Sequence, residues 1–128
     1  MKLSVVIISF RSEHLIKKLI INIPKKYQII VVENSKSKSI KKLEKKFQNV
    51  KVLIPNENLG YAKGFNFAYK YCKNNFVLTF TPDVLINNKL IVRLEKFLKK
   101  FNNFTLLAPV YKNQKIYKNY TPFSKKEI

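Results

Sequence analysis

Leu3-Ser4-Val5-Val6-Ile7-Ile8-Ser9-Phe10, at the amino end of a 128-residue chain, is a continuous run rich in β-branched residues. A strand that is apolar on both faces suits a parallel sheet covered by helices on both sides. The period then changes. Between Glu13 and Ile23, the residues Leu15, Ile16, Leu19, Ile20 and Ile23 share one side of a helix, Lys17 and Lys18 lie outside, and Pro24 ends the pattern. Gln28 to Val32 reads as a second buried strand closed by Glu33-Asn34-Ser35. A Lys-rich helix from Ser39 buries Ile40, Leu43 and Phe47, and Val50 to Ile54 is a third strand ended by Pro55. The polar turn Asn56 to Gly64 opens into a helix with Phe65, Ala68, Tyr69 and Cys72 on its inner face, and Phe76 to Phe80 is a fourth strand. A helix from about Asn88 to Phe101 aligns Leu90, Ile91, Leu94, Leu98 and Phe101, and Phe104 to Val110 reads as a further strand. Strands alternating with helices predict an α/β domain over residues 1–110 with a mostly parallel sheet flanked by helices, followed by an irregular tail over 111–128.

Composition narrows the partners. The formal net charge is +19, yet Arg11 and Arg93 are the only arginines. Arg is what bidentate phosphate or base recognition selects, so a charge carried by Lys argues against specific nucleic-acid binding. Lys, Asn, Ile, Phe and Tyr are abundant together, as an AT-rich coding sequence alone would produce. A membrane surface or an acidic partner is the functional alternative. The lone Cys72 excludes an internal disulfide and a Cys cluster for zinc, which suits a reducing, cytoplasmic setting. Lys2 and the apolar run after it resemble the start of a signal peptide, but the run is short, ends in Arg11-Ser12-Glu13 and lacks a small-residue cleavage site. No segment approaches the roughly 20 apolar residues of a bilayer span. Membrane contact is therefore expected to be peripheral, at the inner face.

In open parallel sheets ligands bind beyond the carboxyl ends of the strands. The loops there are Ser9 to Ser12, Glu33 to Ser35, Asn56 to Gly64 and Thr81 to Asp83. Of seven acidic residues, Glu13 and Glu95 stand four before Lys17 and Lys99, a helix pairing worth about 0.2–0.5 kcal/mol. Glu44 belongs to an exposed Lys-rich helix and Glu127 to the tail. Glu33 and Asp83 directly follow buried strands, where a carboxylate is placed for a ligand rather than for the core. Asp83, the only aspartate, follows a stiffening proline. It is either an ordinary Pro-Asp turn residue or a ligand for a hard divalent cation that shares its shell with phosphates. The only glycines, Gly60 and Gly64, lie at a helix start whose free N–H groups favour anions, and they read either as a turn with helix packing or as a close approach to a ligand. No glycine follows the first strand, so the dinucleotide fingerprint and NAD are poor fits.

Four segments, in order, resemble family 2 glycosyltransferases, the inverting nucleotide-sugar enzymes of GT-A fold. They are Val5-Val6-Ile7-Ile8-Ser9-Phe10, Ile29-Ile30-Val31-Val32-Glu33-Asn34-Ser35, Asn58-Leu59-Gly60-Tyr61-Ala62-Lys63-Gly64-Phe65-Asn66 and Thr79-Phe80-Thr81-Pro82-Asp83-Val84. The third, similar to the family's N-x-G-x-(A/G)-x-G-x-N segment, is the most specific. The resemblance implies a GT-A-like (Rossmann-like) fold, a nucleotide-diphosphate sugar donor of UDP, dTDP or GDP type, and Mg²⁺ or Mn²⁺ held by Asp83. It places Ser9, Phe10 and Glu33 at the nucleotide base, with Asn58, Gly60, Gly64 and Thr81 also on the donor. It further implies transfer of a hexosyl group to an unknown acceptor, in surface polysaccharide or glycan synthesis.

Glu33 stands where the family usually has Asp, and Thr81 replaces the first Asp or Asn of the metal motif, leaving Asp83 as the sole charged ligand. The family's general base lies well after the metal motif, and the only acids after Asp83 are Glu95 and Glu127. No catalytic base is assigned. The chain is expected to be a donor-binding half, incomplete on its carboxyl-terminal side, whether as part of a longer enzyme or as a non-catalytic nucleotide-sugar-binding module.

Overall fold

The computed structural model describes residues 3–100 and Leu106. Four parallel strands form one sheet in the order β3-β2-β1-β4: β1 (Leu3–Ser9), β2 (Gln28–Glu33), β3 (Val50–Leu53) and β4 (Phe76–Phe80). The helices are α1 (Glu13–Ile21), α2 (Lys42–Lys46, entered through a 3-10 turn at Ser39–Lys41), α3 (Gly60–Tyr69) and α4 (Asn88–Lys100).

Every residue of β1 is buried, as expected of a central strand with helices on both sides. The strand's period of two divides the core between its faces. Val5, Ile7, Ile29 and Val31 face one way and pack with Ile16, Leu19 and Ile20 of α1, Ile40 and Leu43, and Ile91 and Leu98 of α4. Val6, Ile8, Ile30 and Val32 face the other way, against Ala68, Phe65 and Phe67 of α3. The α/β class with a parallel sheet is as the sequence implies. The strand expected at Phe104 to Val110, the helix end at Phe101 and the tail lie outside the described residues.

The helices depart from their expected faces in two places. On α3 the buried residues are Gly64 and Ala68, and Tyr69 is exposed, because the i, i+4 line through the glycine lies one position away from it. On α4 the inward line is Ile91, Glu95 and Leu98, leaving Leu90 partly exposed. Glu95 does not rely on Lys99. Its Oε2 accepts hydrogen bonds from Lys26 Nζ and from the phenol of Tyr27, each at 2.5 Å, and Tyr27 is itself buried. Those two bonds, with Lys26 first, hold the Glu95 carboxyl below its ordinary value. Glu13 likewise binds across the fold, to Lys42 Nζ at 2.6 Å and to the Ser39 hydroxyl. Glu44 is half-buried and accepts the Val52 amide at 2.7 Å.

Glu95→Ala leaves the Tyr27 hydroxyl buried without its acceptor and is expected to destabilise the domain by about 1–3 kcal/mol. Denaturant unfolding checks this, with Glu44→Ala as a comparison. A loss below about 0.5 kcal/mol, the size typical of surface substitutions, would show that the bridge contributes little.

Candidate functional site

The strand order reverses at β1: the chain runs outward through β2 and β3, then crosses back to place β4 on the other side of β1. Such a reversal opens a crevice beyond the carboxyl ends of the central strands. Register brings the loops together there. Ser9 sits opposite Glu33, and Ile7 opposite Phe80, so Thr81 to Asp83 leave the sheet beside the end of β1.

Glu33 is the most constrained group on this rim. It is 1% exposed, and both carboxylate oxygens are occupied. Ser9 Oγ donates to Oε2 at 2.6 Å. The Ser35 amide at 2.9 Å, the Arg11 amide at 3.3 Å and the Ser35 hydroxyl all donate to Oε1. Burial by itself raises the carboxyl pKa, but the hydroxyls of Ser35 and Ser9 and the amides of Ser35 and Arg11 outweigh it and leave the pKa lowered. The expectation that Glu33 is placed for a ligand rather than for the core is corrected in its second part, because the side chain is buried. Its side chain is a buried cross-link between the β1 and β2 loops.

Asn34, which the sequence reading did not single out, does the same on the opposite face. Its side chain donates to Gly60 O at 3.0 Å and accepts the Leu59 amide at 3.2 Å, tying the end of β2 to the start of α3. The signal was present in the sequence. Continuing the alternation of β2 puts Glu33 on the α1 face and Asn34 on the α3 face, and a polar residue at a buried strand end needs partners.

Both linked turns contain a left-handed residue, Arg11 at φ 54° and Gly60 at φ 64°. Asn58 Oδ1 accepts the Gly60 amide at 2.9 Å, closing the turn. Gly64 lies against β1, where an added Cβ would meet Ile8 Cγ2 at 3.4 Å and Asn34 Nδ2 at 3.6 Å. Tyr61 and Thr79 share a hydroxyl–hydroxyl hydrogen bond of 2.9 Å that joins α3 to β4. Phe10 is 50% exposed, with the Arg11 guanidinium carbon 5.2 Å from its ring centre. Thr81 and Asp83 are exposed at the turn after β4. The Thr81 hydroxyl, and then Asp83's own amide, hold the Asp83 carboxyl below its ordinary value. Ser9 and Glu33 are thus joined directly, and Asn58 and Gly60 share one turn. No hydrogen bond among the described residues links Asp83 to either group.

No group of three His, Cys, Asp or Glu side chains able to hold a metal occurs among the described residues. Asp83 and Thr81 supply one charged oxygen and one hydroxyl. That set fits Mg²⁺ or Mn²⁺ when phosphate oxygens and water complete the shell, and it does not make a cage by itself.

The Glycosyl transferase family 2 model matches residues 4–126. The chain belongs to that family. No curated protein sequence matches it. Among solved structures, the mannosyltransferase PcManGT from Pyrobaculum calidifontis, in complex with GDP-Man and Mn²⁺, is similar with a TM-score of 0.64 at 15% identity, over 76% of this chain and 32% of that one. The GT-A-like fold of this family 2 domain is thereby established, and the chain spans about a third of the length of that neighbour.

Three substitutions test the rim. Gly60→Ala forces an L side chain to φ 64° and is expected to cost about 1–2 kcal/mol. Gly64→Ala meets only ordinary contacts and removes a glycine from a helix interior, so stability should hold or rise by about 0.5–1 kcal/mol. Thermal unfolding showing the reverse order would contradict the turn geometry. Glu33→Gln replaces an all-acceptor group with one that also donates toward Ser9 or the loop amides, at an expected cost of about 2 kcal/mol at neutral pH. Because the folded Glu33 carboxyl titrates below its unfolded value, its contribution is present above about pH 4.5 and is lost as pH falls through the folded value. The gap between wild type and Glu33→Gln in urea unfolding should therefore narrow at pH 3. A constant gap would show that the charge is not involved.

Proposed function

We propose that this family 2 domain binds a nucleotide-diphosphate sugar with a divalent metal, as the donor-binding portion of an inverting glycosyltransferase. The observation that carries the reading is the convergence of three loops at the reversal of strand order: one fixed by Glu33, one fixed by Asn34, and the exposed carboxylate of Asp83 beside the end of β1. Phe10 and the loop after Ser9 present an apolar ring and backbone groups for the base, over a foundation that Glu33 keeps rigid. The Asn58 to Gly60 turn brings main chain close to the donor, with Asn34 holding it from behind. Asp83, aided by Thr81, stays ionised and would hold Mg²⁺ or Mn²⁺ on the diphosphate. The metal, when bound, supplies neutralisation of the charge that builds on the departing diphosphate. That PcManGT was solved with GDP-Man and Mn²⁺ supports this use of the site.

Transfer also needs a base for the acceptor hydroxyl. Among the described residues the only acid after Asp83 is Glu95, which is engaged with Lys26 and Tyr27 before the start of β2, at the opposite end of the sheet. This commitment favours a second reading, a nucleotide-sugar-binding module that performs no transfer, and measured donor hydrolysis or sugar transfer by this chain alone would exclude that reading. We place the protein in the cytoplasm, at the inner membrane face, in surface glycan synthesis. The lysine-rich surface supports peripheral contact with anionic lipid, and no helix among the described residues is long and apolar enough to cross a membrane.

Calorimetric titration of GDP, UDP and dTDP with Mn²⁺ tests the donor site. Asp83→Asn removes the only charged ligand and is expected to weaken metal-dependent affinity by about tenfold or more. Equal affinity for both proteins would end the metal role of Asp83.

A further inference from the structure

Glu33 is 1% exposed, and both of its oxygens accept hydrogen bonds from the protein. The loop it braces displays Arg11. This residue adopts φ 54°, a conformation that costs a non-glycine residue roughly 1–2 kcal/mol and is found disproportionately at functional sites. The turn aims its amide inward at Glu33 Oε1 and leaves its side chain exposed on the rim, over Phe10. All three ion pairs among the described residues use lysine, and the Arg11 guanidinium has no carboxylate partner there. In a chain with only two arginines among 26 basic residues, one stands on this rim. A guanidinium presents a rigid fork of N–H donors that a lysine cannot reproduce.

Building on the donor-binding reading, we propose that Arg11 is a nucleotide-contacting residue. Its fork takes a pair of adjacent acceptor atoms on the nucleotide, and Glu33 acts as the positioning residue that presents it. Two parts of a nucleotide offer such a pair: the diphosphate oxygens and the O6/N7 edge of guanine. Uracil and thymine separate their two carbonyl acceptors with an N–H.

The test compares wild type, Arg11→Lys and Arg93→Lys in Mn²⁺ titrations of GDP, UDP, dTDP and inorganic pyrophosphate. Arg11→Lys keeps the charge, the backbone and the Glu33 bond while removing the fork, so folding is preserved. Its affinity should fall about tenfold or more, and Arg93→Lys, on the exposed side of α4, should bind as wild type. A loss confined to GDP assigns the fork to the guanine edge. A uniform loss that extends to pyrophosphate assigns it to the phosphates. Wild-type affinity for every ligand in Arg11→Lys overturns the proposal while leaving donor binding intact, provided Asp83→Asn still weakens it. A wild-type protein that binds no nucleotide overturns donor binding and this proposal together.

Discussion

A carboxylate removed from water has to be met by hydrogen-bond donors, and the rim of this domain is organised around one that is. Glu33 is flanked by the central strand and collects two hydroxyls and two main-chain amides. Ser9 ends β1, and the other donors lie in the loops that follow β1 and β2. Satisfying the charge therefore fixes the exit of β1 and the exit of β2 in one geometry. Hydrogen bonds to an ionised group are worth about 1.5–3 kcal/mol, and a buried carboxylate left partly unpaired costs more, so the arrangement is close to all or none. The left-handed turn at Arg11 adds its amide to this set.

Asn34 extends the constraint to the second face of the sheet. Because successive strand residues point to opposite sides, two neighbours in sequence brace two loops that are far apart in the chain. The carboxamide suits its position. It must donate to Gly60 O and accept from the Leu59 amide, which neither a carboxylate nor a hydrocarbon side chain would do. The walls of the crevice are thus set by the end of β2, and Asp83 approaches separately from β4. An exposed carboxylate such as Asp83 repels an anionic ligand, so this rim suits a phosphate only when a cation bridges the two.

The strands were legible because a parallel sheet covered on both faces leaves continuous apolar runs. β4 matches its expected span, and β1 falls one residue short of it because Phe10 turns out to solvent. Helix faces were less legible where a single polar residue broke the stripe. Glu95 looked like a surface partner of Lys99 because local spacing carries no information about Tyr27, 68 residues away. The same limit applied to the site. The sequence pattern located all four loops and their order along one rim of the sheet. It did not reveal that Glu33 faces inward, because a strand-end carboxylate reads the same whether its donors come from a ligand or from the neighbouring loop.

That distinction changes how the departure from the family's usual Asp is understood. The Glu33 carboxylate meets Ser9 while also accepting the Arg11 and Ser35 amides, so it serves as a brace between the loops. With Glu33 turned inward as a brace, the exposed residues of the β1 loop are Phe10 and Arg11. The cost of the left-handed turn is offset by the Glu33 bonds, which hold the Phe10–Arg11 turn in one geometry on the rim. Preorganisation of this kind reduces the ordering cost of association. On the donor-binding reading proposed for this rim, such bracing favours tight, selective binding.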